Sequence, residues 1–191
     1  MIAIPAGFTP TDYLTLEAQS LHRHEYRAGQ VYAMAGGSDD HDELCLNLIE
    51  ILRSALRGSD CAVRSGNVKV SYQEQFYYYP DAFVTCDPRD RTDRQIKRYP
   101  KLIAEVISPS TQEFDQTTKF EDYAQIATLE DYLLLHQTQL RVEVRRRGVG
   151  GSWQVVVYAP GSVIKLPSVG VEVAIEVLYQ GVSWTEDGGA C

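Results

Sequence analysis

The spacing of hydrophobic residues predicts two helices in the first third of the chain. Thr9-Pro10-Thr11-Asp12 is typical of a helix start, because Thr9 can cap the helix and proline is favoured at its first position. This first helix should end near Ser20. A second helix is predicted after Asp40, a candidate cap with Glu43 three residues later. It is predicted by apolar residues at helical spacing, namely Leu44, Leu48, Ile51, Leu52 and Ala55.

Extended patterns dominate the rest of the chain. A hairpin is predicted around Ala28-Gly29, and further strands at residues 63–72, 77–86, 102–107, 131–136, 140–145 and 153–158. Between Phe114 and Ala127 the apolar spacing becomes helical again. Together these elements predict a mixed α/β (α+β) fold, in which helices flank a sheet. With 191 residues and no composition shift that indicates a linker, the chain is expected to form one domain over residues 1–191.

Composition narrows the class of protein. The formal net charge of −8 argues against indiscriminate binding to nucleic acid, but a bound cation can reverse the local field of an acidic site. No apolar run approaches the roughly 20 residues that a membrane span needs, and the N-terminus lacks a signal-peptide pattern, so a cytoplasmic protein without membrane partners is expected. The four cysteines show neither a close pair nor metal-ligand spacing. They are interpreted as small core residues or free thiols in a reducing compartment.

Two acidic residues lie within predicted strands. Strand alternation places Glu105 on one face with Ile103 and Ile107, opposite the face of Leu102, Ala104 and Val106. Asp81 shares a face with Phe83 and Thr85. Burying a carboxylate is costly unless it is paired or binds a metal. On neighbouring strands, Asp81 and Glu105 would form an oxygen-ligand site suited to Mg²⁺. The alternatives are two salt-bridged structural carboxylates, or strand ends exposed to water.

A lysine on the following helix could complete this site. Asp115, Lys119 and Asp122 lie at helical spacing shortly after the Glu105 strand ends. The first turns of that helix can fold back over the carboxyl end of the strand, which would bring the Lys119 ammonium beside the carboxylates. The simpler alternative is an i,i+4 ion pair between Asp115 and Lys119, worth about 0.2–0.5 kcal/mol. The first arrangement is of the kind that phosphoryl hydrolysis uses.

The order of these residues resembles the Uma family of restriction-endonuclease-like proteins, which belongs to the PD-(D/E)XK nuclease superfamily. The motifs that carry the resemblance are Pro80-Asp81, then Glu105-Val106-Ile107-Ser108-Pro109-Ser110-Thr111, then Asp115, Lys119 and Tyr123. It extends upstream to Glu25, Gly29, Met34 and His41. The superfamily pattern has a lysine two residues after the second acid, where this chain has Ile107. The family is thought to place its lysine on the next helix, at the position that Lys119 occupies.

The resemblance implies a restriction-endonuclease-like fold and metal-dependent hydrolysis of DNA phosphodiester bonds. Asp81, Glu105 and the Val106 carbonyl would bind Mg²⁺, or Mn²⁺ in its place, and Lys119 would orient the attacking water or stabilise developing charge. Glu25 would add a further acid or a water-mediated ligand. His41 is interpreted as a capping or surface residue rather than a base.

The expected partners are DNA and a second copy of the chain, because a homodimer could cut both strands. The alternative is a catalytically silent module that binds nucleic acid or protein on the same scaffold. The negative net charge favours that alternative.

Overall fold

A computed structural model of the chain describes residues 3–4, 7–34, 36–108 and 111–183. Pro109 and Ser110, which carry part of the family resemblance, and Cys191 lie outside the described residues. The strands are β1 (Ala3–Ile4), β2 (His24–Arg27), β3 (Gln30–Ala33), β4 (Ala62–Ser65), β5 (Lys69–Tyr72), β6 (Phe76–Tyr78), β7 (Ala82–Thr85), β8 (Ile96–Lys97), β9 (Pro100–Ile107), β10 (Asp131–His136), β11 (Val142–Arg147), β12 (Trp153–Tyr158), β13 (Val163–Leu166) and β14 (Val171–Ala174). The α-helices are α1 (Pro10–Gln19), α2 (Asp39–Ala55), α3 (Gln112–Phe114), α4 (Phe120–Ala124) and α5 (Ile175–Leu178).

The helix starts follow local capping chemistry. Thr9 and Asp12 form a reciprocal capping box at the start of α1, as the sequence predicts. Helix α2 is capped by Ser38 rather than by Asp40, since the Ser38 side chain accepts a hydrogen bond from the His41 amide. The second predicted cap was therefore wrong by two residues. Across the described ranges, no helix combines the length and the apolar character that crossing a membrane requires.

The described strands form two six-stranded sheets and one two-stranded sheet. Their orders are β1-β3-β2-β6-β5-β8, β12-β11-β10-β9-β7-β4 and β13-β14. The chain moves between the two large sheets several times, and its passage from β6 to β7 runs through residues 79–81. Both large sheets contain parallel and antiparallel pairs, so the predicted mixed α/β (α+β) fold is confirmed.

Strand β9 lies inside the second sheet, parallel to β10 and antiparallel to β7. One of its faces, formed by Leu102, Ala104 and Val106, packs in the same hydrophobic cluster as the apolar face of α2. The opposite face, with Ile103 and Ile107, packs in a second cluster. The division of β9 into these two faces was predicted from strand alternation and is confirmed. Glu105 therefore points into the second cluster, where it must find polar partners.

Cys61 and Cys86 form a disulfide that was not predicted from the sequence. Cys61 immediately precedes β4 and Cys86 immediately follows β7, and these strands pair antiparallel with Ala62 opposite Thr85. Continuing that register by one residue brings the two cysteines face to face, and they are bonded. The interpretation of these two residues as free thiols or core residues was therefore wrong, because strand register rather than sequence spacing decides the pairing. Cys45 is a free, buried thiol, as expected.

Candidate active site

The pairing of β7 with β9 brings the two predicted acids together. Phe83 lies opposite Ile103 and Ala82 opposite Ala104, and the same register carried one residue further sets Asp81 opposite Glu105. Asp81 lies one residue before β7 and is therefore not part of the strand. Its amide donates to Glu105 Oε2 at 3.3 Å, and its Oδ2 accepts from the Val106 amide at 2.8 Å. Hydrogen bonds from backbone amides to the two carboxylates thus hold the acids as neighbours.

Lys119 is buried among three carboxylates. Its Nζ lies 3.1 Å from Glu25 Oε1, 3.4 Å from Glu105 Oε1 and 3.4 Å from Asp115 Oδ1. Glu25 comes from β2 in the other large sheet, so the site lies where the two sheets meet. The ammonium also lies 5.3 Å from the centre of the Tyr78 ring, a favourable cation–π distance. The proximity of Lys119 to Glu105 was expected from the position of its helix, whereas its catalytic role stays a prediction.

A π-helical turn positions Lys119. Residues 115–119 form this turn between α3 and α4, within one continuous helical segment. Such turns leave backbone carbonyls without their usual α-helical donors, and they are frequent at functional sites. Here the Asp115 carbonyl accepts from the Tyr132 hydroxyl at 2.8 Å, and the Gln116 carbonyl accepts from Arg145 at 2.6 Å. The sheet therefore stabilises the irregular turn that carries the lysine.

Tyrosines and backbone groups fix the buried carboxylates. The Tyr123 hydroxyl, one turn beyond Lys119, donates to Glu105 Oε1 at 3.1 Å. Glu25 Oε1 accepts from the Tyr79 amide at 2.9 Å, just before the chain enters the second sheet. These contacts satisfy oxygens that would otherwise be buried without donors. They also restrict the orientation of both side chains.

Burial, together with the excess of acidic over basic groups, shifts the pKa values of the site. Burial raises the pKa of Glu105 well above its usual value, and the Lys119 ammonium opposes that shift only in part. Burial likewise raises the pKa values of Glu25 and Asp115. For Lys119, burial by itself would lower the pKa, but the three surrounding carboxylates outweigh it and raise the pKa well above its usual value. The ammonium is therefore charged at neutral pH.

His41 and Cys45 extend the site on the side of α2. His41 Nε2 lies 3.2 Å from Asp81 Oδ2, and this hydrogen bond raises the pKa of His41 despite the opposing effect of burial. A raised pKa favours the protonated imidazole, which donates to Asp81 rather than acting as a base. On the other side of the ring, Cys45 Sγ lies 3.7 Å from His41 Nδ1, and burial raises the pKa of this thiol.

This group of residues was not predicted from the sequence. His41 was interpreted as a cap or surface residue, but its side chain contacts Asp81. The cysteines were interpreted as lacking metal-ligand spacing, although His41 and Cys45 are separated by four residues on one helix, a spacing that brings side chains together. That spacing was the available signal.

Comparison with known proteins decides the family. The family model described as "Uma2: Putative restriction endonuclease" matches residues 10–177. The chain belongs to the Uma2 family. The resemblance drawn from its motifs is thereby confirmed.

Relatives and a solved structure extend this comparison. The Uma2 chain is 37% identical over 177 residues to the uncharacterized protein slr1290 of Synechocystis sp., covering 92% of the chain and 93% of that relative. It is 32% identical over 146 residues to sll1609 of the same organism, covering 75% and 82%. A crystal structure described as a putative nuclease belonging to DUF820, from Anabaena variabilis, aligns with a TM-score of 0.77 at 15% identity. It covers 91% of the Uma2 chain and 98% of that protein, which shows that the two share a fold.

Proposed function

We propose that this Uma2 chain is a metal-dependent endonuclease that hydrolyses DNA phosphodiester bonds. The observation that carries the proposal is the meeting of Asp81, Glu105 and Lys119 at one end of β7 and β9. Two acids and a lysine that come from separate elements form the set of groups that the chemistry needs. The family description and the nuclease-like fold support the same reaction class.

The donor set fits a hard divalent cation. Asp81 and Glu105 supply carboxylate oxygens, which Mg²⁺ and Mn²⁺ prefer to nitrogen or sulfur. The Val106 amide points toward Asp81, and in an extended strand the carbonyl of the same residue points to the same side, so Val106 is proposed as a third protein ligand. Three carboxylates surround the single ammonium of Lys119, and this excess of negative charge favours binding of a cation over binding of an anion. When bound, the cation would polarise the scissile phosphate and lower the pKa of a water molecule.

The residues of the chain would then act around the phosphate. Lys119 is proposed to orient the attacking water or to stabilise the negative charge that develops in the transition state. Tyr123 and Glu25 act as positioning residues, because they hold Glu105 and Lys119 respectively. Asp81 is the partly exposed member of the set, with 21% of its side-chain surface accessible, so DNA would approach from its side.

The direct test is cleavage of supercoiled plasmid. The purified chain is expected to nick plasmid in the presence of Mg²⁺ or Mn²⁺ and to lose this activity in EDTA, because the cation activates the nucleophile. A homodimer with two centres would also produce linear DNA. Asp81→Asn, prepared identically, should be inactive. Equal cleavage by Asp81→Asn would indicate a contaminant or another site, and would contradict the proposal.

Metal binding itself should be visible as a gain in thermal stability. A ligand at 100 times its Kd stabilises the folded state by about 2.7 kcal/mol. For a chain of this size, that corresponds to a rise in Tm of about 5 °C or more. The rise should occur with Mg²⁺ and vanish in Asp81→Asn, as measured by differential scanning fluorimetry at constant ionic strength. Asp60→Asn, an exposed carboxylate paired with Arg91, is the matched control and should keep the rise.

A catalytically silent binding module is the second candidate. The observation that favours it is the burial of Lys119, whose charge is already compensated by three carboxylates, as in a structural ion-pair network. Such a module would show no metal-dependent cleavage of any DNA tested. The plasmid assay therefore separates the two candidates.

A further inference from the structure

A second set of potential metal ligands lies beside the proposed nuclease centre. One donor atom from each of His41, Cys45 and Asp81 lies within 4.8 Å of the other two. His41 and Cys45 come from successive turns of α2, and Asp81 comes from the residues before β7. None of the roles proposed above uses the Cys45 thiol. The thiol lies beside His41 Nδ1 and the carboxylate beside His41 Nε2, so sulfur, nitrogen and oxygen donors from α2 and from the segment before β7 lie close together.

The surroundings of His41 preserve this arrangement. At Gly37, an added Cβ would lie 2.8 Å from His41 Nδ1 and 3.1 Å from its Cγ, which is too close for the ring to keep its position. Glycine at this position therefore lets the imidazole lie between Cys45 and Asp81. The side chains of His41 and Asp81 are 25% and 21% exposed, so an ion could reach the group from solvent.

The donor atoms of this group favour a different class of metal ion from the class that the nuclease centre favours. Thiolate and imidazole favour Zn²⁺ and Co²⁺, whereas Mg²⁺ prefers oxygen. In a tetrahedral zinc site, bonds of about 2.3 Å to sulfur and about 2.0–2.1 Å to nitrogen place the two ligand atoms about 3.6 Å apart. The observed distance between Cys45 Sγ and His41 Nδ1 is 3.7 Å. Three protein ligands would leave the fourth position to water.

We propose that His41, Cys45 and Asp81 form a Zn²⁺ site that shares Asp81 with the Mg²⁺ site, so that Zn²⁺ inhibits DNA cleavage. On binding, the Cys45 thiol and the protonated His41 imidazole each release one proton to solvent as the zinc–sulfur and zinc–nitrogen bonds form. Because one imidazole binds an ion through one nitrogen, the Asp81 carboxylate would leave the Val106 amide and His41 Nε2 and turn toward the ion at Nδ1. The inhibition rests on the proposed nuclease function, but the binding site does not.

Cobalt substitution tests the site without any measurement of activity. The full chain titrated with Co²⁺ should develop visible absorption and a near-ultraviolet thiolate-to-cobalt band that saturates at about one equivalent, and Zn²⁺ should abolish both. Cys45→Ser should remove the thiolate band. Cys191→Ser is the matched control and should retain it. Absence of the band in wild type, or its persistence in Cys45→Ser, would overturn the site.

The inhibition is tested separately. In the plasmid assay with Mg²⁺, each protein's rate is divided by its own rate without zinc, and Cys45→Ser should need at least about tenfold more Zn²⁺ than wild type for half-inhibition, because loss of a ligand weakens metal binding. Equal sensitivity of both proteins to Zn²⁺ would overturn the inhibitory role. If wild type binds Co²⁺ through Cys45 but cleaves no DNA, the nuclease proposal fails and the zinc site stands.

Discussion

Glu105→Gln is expected to lower the rate of Mg²⁺-dependent plasmid cleavage by about 10²–10³-fold, the usual cost of removing one group that stabilises the transition state electrostatically. Glutamine keeps the shape of the side chain, and its carbonyl oxygen can still accept the hydrogen bond from Tyr123. It removes the negative charge that would hold the cation. The loss should therefore appear in single-turnover cleavage rates measured at saturating protein.

The matched control for this variant is Glu121→Gln. Glu121 is exposed on α4, close in sequence to Lys119 and Tyr123 but pointing to solvent. Its replacement should leave the rate unchanged. A Glu105→Gln protein that folds normally and cleaves within a few-fold of wild type would remove Glu105 from the mechanism.

Lys119→Met is expected to destabilise the folded chain by about 3–5 kcal/mol, since removing one partner of a buried ion pair leaves uncompensated charge. The lysine compensates three carboxylates, and all of them are buried. The free energy of unfolding, measured by urea denaturation at neutral pH, should fall by this amount. Cleavage should be lost as well, because the same ammonium is proposed to act on the phosphate.

The pH dependence of this variant has a definite sign. Burial already raises the pKa of Glu105 above its usual value of 4.5, and removal of Lys119 should raise it further. An acid whose pKa is raised by folding favours the folded state below its unfolded pKa and loses that contribution as the pH rises through the folded value. The destabilisation should therefore be smaller at mildly acidic than at neutral pH.

Lys101→Met is the control for the stability experiment. Lys101 forms a surface ion pair with Glu130 at 3.4 Å, and both side chains are substantially exposed. Such pairs contribute about 0–1 kcal/mol. If Lys119→Met unfolds no more easily than Lys101→Met, the buried network does not depend on its lysine for stability.

Local patterns predicted several elements of the fold, but the predicted strands 63–72 and 77–86 were wrong in that each divides into two strands of different sheets. Strands 131–136 and 153–158 were predicted with the bounds that they have, because each is a short apolar or alternating run between polar turns. Strand alternation also predicted which residues share each face of β9. Because both faces are buried, Glu105 must point into one of the two hydrophobic clusters. These features depend on residues close in sequence.

The features that were missed depend on pairing between distant segments. Nothing in the local pattern shows that Glu25 reaches Lys119 from the other large sheet, or that Cys61 faces Cys86 across two strands. The π-helical turn was also unpredicted, because its stabilising donors, Tyr132 and Arg145, come from β10 and β11. The family resemblance supplied the proposal that Glu25 belongs to the site, whereas the proximity of Lys119 was expected from the position of its helix.

The bond between Cys61 and Cys86 also affects the unfolded chain. The two cysteines are 25 residues apart and enclose Asp81 in a covalent loop, whereas Glu105 and Lys119 lie outside it. Closing a loop of this length raises the free energy of the denatured ensemble by about 3–4 kcal/mol, because it removes conformational freedom. In an unfolded chain that keeps this disulfide, Asp81 would therefore stay covalently close to the edge strand β4. Glu105 and Lys119 would be free to move away from it.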